Sequence, residues 1–157
     1  MTNLNHQTFT QSKSRGFSLI EVIVAALVMG IGLYGVLSLQ AVALQQNQKA
    51  NLYSQASFFA NDLADRMRAN KAAIASDQAD YLVDGSNSVD CESNNCSAQN
   101  LADWDKFHWA NNISESLPNG EGNVEIVDAE DDQFIITVGF QDPKSGSMEQ
   151  VSVTVQI

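Results

Sequence analysis

Positive charge is scarce in most of this chain. Beyond Asn70 the only basic residues are Lys71, Lys106 and Lys144, against sixteen acids, and the formal net charge of the whole is −11. Affinity for nucleic acid rests on lysine and arginine displacing counterions from phosphates, so no nucleic-acid partner is expected. Histidine is limited to His6 and His108, and cysteine to Cys91 and Cys96. A zinc centre wants four ligands at suitable spacing, and these residues do not supply them. His108 has no acid–base partner spaced to orient it, and there is no nucleophile beside a base and no phosphate loop. The expectation is therefore a protein that is not an enzyme, with no catalytic residue, no cofactor and no metal.

Helix breakers are the second shortage. Neither proline nor glycine occurs within residues 40–70, so nothing there ends a helix. The glycines of Gly30-Ile31-Gly32-Leu33-Tyr34-Gly35 satisfy G-x-G-x-x-G, but no strand precedes them and no βαβ unit surrounds them, which argues against a dinucleotide site. Within an apolar helix they lower propensity and allow close backbone approach. A flexible segment at 30–35 is the expectation.

What is present is one long apolar run. Residues 17–39 carry a single charge, Glu21, and at about 1.5 Å per residue the run is long enough to cross a bilayer core as a helix. A carboxylate there costs at least about 2.5 kcal/mol on insertion scales, and such residues tend to be paired and functional. Lys13 and Arg15 stand before the run in a segment free of acids, which holds this end in the cytoplasm and sends the rest outward. No small-residue cleavage site follows Leu39, so the cut is expected before the run, at Gly16-Phe17.

The stretch Arg15-Gly16-Phe17-Ser18-Leu19-Ile20-Glu21-Val22 resembles the class III signal of type IV pilins and type II secretion pseudopilins. That resemblance implies a leader, residues 1–16, removed by a prepilin peptidase, with Phe17 methylated on its new amino terminus. It also implies that Glu21 pairs with the terminal amine of a neighbouring subunit's Phe17 during assembly. The implied localisation is a single-pass inner-membrane protein with a periplasmic head, later part of a surface pilus.

The head, residues 40–157, amounts to one small domain. Leu52, Ala56, Phe59, Leu63 and Met67 recur at intervals of three or four, which extends the membrane helix through residues 40–70. Asp62 with Arg66 and Asp65 with Arg68 are spaced as exposed helix-surface ion pairs, and a docking surface is the competing reading. Residues 71–100 turn polar, with a turn or mobile loop at Asp84-Gly85-Ser86-Asn87-Ser88 and poor order expected. Cys91 and Cys96 read as a small disulfide-closed loop in an oxidising compartment, a metal site being the competitor. Ser97 can cap a helix over 97–117 with Leu101, Trp104, Ile113 and Leu117 facing the core, stopped by Pro118-Asn119-Gly120. Residues 123–127, 134–140 and 150–157 alternate as strands of an antiparallel meander, 123–157. The acidic connection at Asp128, Glu130, Asp131 and Asp132 lacks EF-hand spacing and reads as a solvated turn rather than a calcium site.

Asp62-Leu63-Ala64-Asp65-Arg66-Met67-Arg68-Ala69-Asn70, followed by the cysteine pair, Leu101-Ala102-Asp103-Trp104 and Leu117-Pro118-Asn119-Gly120, is similar to the PilV family of minor pilins, also called type IV pilus modification proteins. The aromatic run Trp104, Phe107 and Trp109 departs from that pattern. The resemblance implies an α+β, type IV pilin-like lollipop: a long helix packed against a small antiparallel sheet. It also implies a minor pilin that primes pilus assembly, with a place at the tip as one expectation. The implied partners are other minor pilins, the major pilin, the inner-membrane assembly platform and membrane lipid. A type II secretion pseudopilin and a displayed adhesive or ligand-binding head are the alternatives.

Overall fold

The computed structural model describes residues 16–82 and 89–157. Expectations that fall on the leader, including Lys13 and Arg15, and on Asp84-Gly85-Ser86-Asn87-Ser88 lie outside the described residues. The chain divides into two compact units, the first ending at Leu44 and the second running over Gln45–Ile157.

The first unit holds the amino-terminal part of helix α1, Leu19–Ala69. The helix opens at Ser18, whose carbonyl accepts from Glu21 N at 3.0 Å and Val22 N at 3.3 Å. Every described residue from Gly16 to Gln48 is exposed. A helix that is apolar all round requires an apolar surrounding, which this unit does not provide for itself. The expected flexible segment at 30–35 is helical here, and a methyl placed on Gly30, Gly32 or Gly35 would meet nothing within 4 Å.

In the second unit the remainder of α1 turns amphipathic. Ala56, Ala60, Leu63, Ala64 and Met67 are buried, with Leu52 and Phe59 partly covered beside them. This face is close to the expected stripe, with alanines taking the positions where elements approach most closely. Over residues 71–82 the chain is ordered where a polar, poorly ordered stretch is expected. Lys71–Ser76 forms helix α2, and Gln78–Tyr81 forms a 3-10 turn in which the Asp77 side chain accepts from Ala79 N. Alanines at 72, 73 and 75 favour helix, and Ala73, Ile74 and Tyr81 are buried.

Helix α3, Ala98–Ser116, starts as expected, with the Ser97 side chain accepting from Asn100 N. Its core face differs from the expectation: Ala102, Trp109 and Ile113 are fully buried, whereas Leu101 and Trp104 are only partly covered. The sheet is a meander in the order β1 (Glu121–Asp128), β2 (Gln133–Gln141), β3 (Met148–Gln156), antiparallel throughout. Its inner face presents Val124, Phe134, Ile136, Val138, Phe140 and Val155 to the core, as the period-2 pattern of a half-buried sheet requires.

Trp109 is the keystone of this packing. Its indole N–H donates to the Phe59 carbonyl at 2.8 Å, and its ring lies against the backbone of β1. A Cβ on Gly122 would fall 2.3 Å from Cη2 and 2.4 Å from Cζ3 of that ring. Gly122 is the residue that lets the indole reach both elements.

Candidate functional site

The residues expected to carry assembly chemistry lie at the start of α1. Gly16 and Phe17 precede the first helical turn, and Phe17 is 82% exposed. Glu21 lies in that first turn, where the free backbone N–H groups and the helix dipole favour an anion. Behind it the helix holds a window of mean hydropathy 2.4, none of it buried, and it is the one helix among the described residues long and apolar enough to span a membrane. The arrangement places Gly16-Phe17, a single acid and an uncovered apolar surface at one end of one element.

The four residues proposed as a docking surface separate in the structure. Arg68 and Asp65 form an i,i+3 pair at 2.8 Å with side chains 45% and 76% exposed, as expected of a solvated pair. Asp62 and Arg66 do not stay on the helix surface: Arg66 Nε bonds Asp62 at 3.0 Å, while its Nη1 reaches Asp105 of α3 at 3.0 Å. Asp105, nearly buried, also accepts from the Tyr81 hydroxyl at 3.2 Å. Asn70 Nδ2 donates to Tyr81 Oη at 3.2 Å and to the Ala98 carbonyl at 2.8 Å. Burial, chiefly, pushes the Tyr81 phenol well above its ordinary value, so it remains a donor. The end of α1 is therefore a polar clasp that holds α3 and the 3-10 turn. Local charge spacing shows only the Asp62 half of it, because Asp105 is 39 residues from Arg66.

A second clasp joins α1 to the β2–β3 connection. Lys49 Nζ lies 2.8 Å from Glu149 and 3.3 Å from Asp142, and the Tyr53 hydroxyl donates to Glu149 at 2.5 Å. Asp142 also accepts from Lys144 N and Ser145 N, closing the turn. A cavity of 340 Å³ beside it is lined by Gln45, Gln46, Gln48, Lys49, Asp142, Pro143 and Lys144. Neither its charge nor its polarity was singled out in the sequence; the only signal was Lys49, alone in a neutral stretch of helix.

Bonds from Lys49 and Tyr53 hold the Glu149 carboxylate below its ordinary value, and the Lys144 and Ser145 amides do the same for Asp142. Lys49 is raised above 10.5, first by Glu149 and then by Asp142. A carboxylate with a depressed folded pKa stabilises above its unfolded value and loses that contribution as pH falls through the folded one. A lysine with a raised folded pKa contributes fully below its unfolded value and loses it at higher pH. The clasp is thus at full strength between about pH 5 and pH 9. Urea midpoints should fall on acidification below about pH 4.5, and Glu149→Gln should flatten that acid limb while lowering the midpoint at neutral pH. An unchanged acid limb in the variant would remove the clasp from the account.

The cysteine loop is a disulfide between Cys91 and Cys96, with a Cα–Cα distance of 5.6 Å. Asp90 stabilises the adjoining turn by accepting from Glu92 N and Ser93 N. Of the aromatic run on α3, Trp109 belongs to the core, while Trp104 lies against His108 with ring centroids 3.9 Å apart and planes tilted by 47°, and Phe107 meets the same imidazole edge-on at 5.3 Å. In the acidic connection Asp128 accepts from Glu130 N and Asp131 N. Among the described residues no group of three or more acids, histidines or cysteines is placed to hold a metal.

Residues 11–37 match the prokaryotic N-terminal methylation motif, and residues 38–107 match the family described as type IV pilin Tt1218. No curated protein and no solved structure matches the chain significantly. The two family matches meet at residues 37 and 38, within α1, and join the processing motif to the head's helical half.

Proposed function

We propose that this chain is a membrane-anchored minor pilin that primes assembly of a type IV pilus, a reading its two family matches support as far as the pilin or pseudopilin kind. The observation that carries the reading is the exposed apolar helix with Glu21 in its first turn, directly behind Gly16-Phe17. Prepilin peptidase removes residues 1–16 and methylates Phe17. Glu21 then meets the Phe17 amine of a neighbour, which neutralises both charges where water is scarce. Before assembly the apolar surface is covered by lipid; afterwards it is covered by the helices of other minor pilins and the major pilin. The head is periplasmic at the first stage and surface-displayed, at or near the tip, at the second. Its chemistry is association and not turnover.

Deletion of the gene is expected to lower the count of surface pili, with wild type restoring it and Glu21→Val failing to do so. The shortfall should be about tenfold or more, the change that corresponds to losing about 1.4 kcal/mol per insertion. Normal piliation in the deletion strain would end the priming role. A secretion pseudopilin shares the processing motif, and a secretion defect with intact pili in the same strain would select that alternative. An adhesive head that used Trp104, Phe107 and Trp109 would lose the last of these, since Trp109 is committed to the core.

A further inference from the structure

The turn between α3 and β1 carries the one asparagine–glycine pair in the sequence, Asn119-Gly120. A backbone nitrogen that follows asparagine can attack the carbon of its side-chain amide, and glycine, with no Cβ, leaves that approach open where a larger residue obstructs it. The fold dictates both residues. Asn119 has φ 47°, a left-handed conformation that asparagine tolerates and most side chains do not. A Cβ on Gly120 would fall 2.4 Å from the Ile113 carbonyl oxygen and 2.9 Å from Leu117 Cβ. The helix backbone cannot yield, so no bulkier neighbour can shield the asparagine.

The same fold restrains the pair. Gly120 N donates to the Leu117 carbonyl at 3.0 Å, and Asn119 Nδ2 donates to Gln141 Oε1 at 2.6 Å. The turn is anchored on either side, by buried Leu117 and by Glu121 paired with Gly139 in the ladder. Gln141 also links this turn to the one between β2 and β3. Its backbone N donates to the Pro118 carbonyl at 2.7 Å and its Nε2 to the Gly146 carbonyl at 2.9 Å. With Nε2 so committed, Oε1 needs a donor at residue 119, and an aspartate there would oppose it with another acceptor.

We propose that Asn119 is a self-modifying site, converted to aspartate and isoaspartate when the α3–β1 turn opens, and that the conversion unfastens the Gln141 bridge between the two turns. In the first step the Gly120 nitrogen forms a bond to Asn119 Cγ, the bond from Cγ to Nδ2 breaks, and the Gly120 proton leaves with that nitrogen as ammonia, closing a succinimide ring. Water, the one co-reactant, then opens the ring. Its oxygen bonds to Cγ or to the Asn119 backbone carbonyl carbon, the bond from that carbon to the Gly120 nitrogen breaks, and a water proton returns to the nitrogen. Attack at Cγ leaves aspartate in the ordinary backbone, whereas attack at the backbone carbon routes the chain through the side chain as isoaspartate.

Both restraining bonds oppose the first step. Gly120 N must leave the Leu117 carbonyl before it can turn on Cγ and lose its proton, and the Asn119 amide must leave Gln141 to meet it. The rate in the folded chain is therefore the rate in the unfolded chain multiplied by the fraction of time the turn is open. The product records past opening, because isoaspartate lengthens the backbone within a turn whose place between α3 and the ladder is fixed. This chemistry is independent of the assembly reading above.

The test incubates the full chain in detergent at mildly alkaline pH in water enriched in heavy oxygen, with peptide mass mapping of position 119 and enzymatic methylation of isoaspartate as readouts. A parallel sample unfolded in guanidinium chloride should convert about tenfold or more faster than the folded chain. Gln141→Ala, which frees the Asn119 amide, should speed conversion in the folded chain about fivefold, the equivalent of one hydrogen bond. Asn119→Gln, whose longer side chain closes a ring far less readily, should give no product at that position. Asn119→Asp reproduces one product, and amide exchange at Gly120 and Gln141 should be about fivefold faster in it than in wild type. No conversion in the unfolded chain, or aspartate without isoaspartate, would remove the succinimide site. Equal rates in the folded and unfolded samples would remove the gate, and unchanged exchange in Asn119→Asp would remove the bridge.

Discussion

Trp109→Ala should destabilise the head by about 3–5 kcal/mol, a large fraction of the 5–15 kcal/mol that holds a typical domain together. The side chain is fully buried and among the largest so placed. Its loss opens a cavity between α1, α3 and β1 and removes the bond to the Phe59 carbonyl. It also removes the ring over which Lys106 Nζ sits at 5.3 Å. The converse change is informative because it adds only one methyl. Glycine in a strand usually weakens it, so alanine would ordinarily help. At Gly122 the new Cβ would overlap the indole, and a cost of about 1–3 kcal/mol is expected instead. Combining Gly122→Ala with Trp109→Phe should then recover part of the sum, a coupling of about 1 kcal/mol or more. Urea unfolding of the detergent-solubilised chain, followed by tryptophan fluorescence and circular dichroism, reads all three. Strict additivity would show that the two residues do not share the contact.

Asp105→Ala should cost about 2–3 kcal/mol, whereas Asp65→Ala should cost no more than about 0.5 kcal/mol. Asp105 receives both Arg66 and Tyr81, and its removal leaves the tyrosine hydroxyl without an acceptor in a buried place. The figure is set below that for a fully buried ion pair because the Arg66 side chain is a third exposed and keeps Asp62. Asp65 and Arg68 are both well exposed. The comparison separates two roles within one short stretch of sequence. If Asp105→Ala proves as mild as Asp65→Ala in thermal unfolding, Arg66 is not a clasp, and its place in a docking surface regains weight. If the asymmetry holds, Asp65 and Arg68 are what remains available to a partner.

These contrasts also show what the sequence could and could not reveal. The long helix was readable because residues 40–70 contain no breaker and the apolar spacing is regular, and the three strands because Val151, Val153 and Val155 alternate so plainly. The rotation of α3 was not readable. Its buried face includes Asp105 and Lys106, which polarity assigns to solvent, and Trp104 and Trp109 compete for the core with nothing local to decide between them. Gly122 decides, by leaving room for one indole, but a strand glycine carries no mark of what lies above it. The same holds for α2, a short alanine-rich turn held in place by the burial of Ile74 and Tyr81 and not by length or caps. At the amino terminus the reverse is true. The roles expected of Gly16, Phe17 and Glu21 rest on local order along the chain and on no tertiary partner within it.

The three glycines of the apolar helix make that end of the molecule a ruler for its surroundings. Since a methyl on Gly30, Gly32 or Gly35 touches nothing in the chain itself, replacing all three with alanine should leave the lone subunit intact, with a helix firmer by about 1 kcal/mol per site. Any defect that the triple variant shows in a filament must then come from outside the subunit. It would be a steric report, at methyl resolution, of how near the neighbouring helices come and of whether the segment must loosen to admit them.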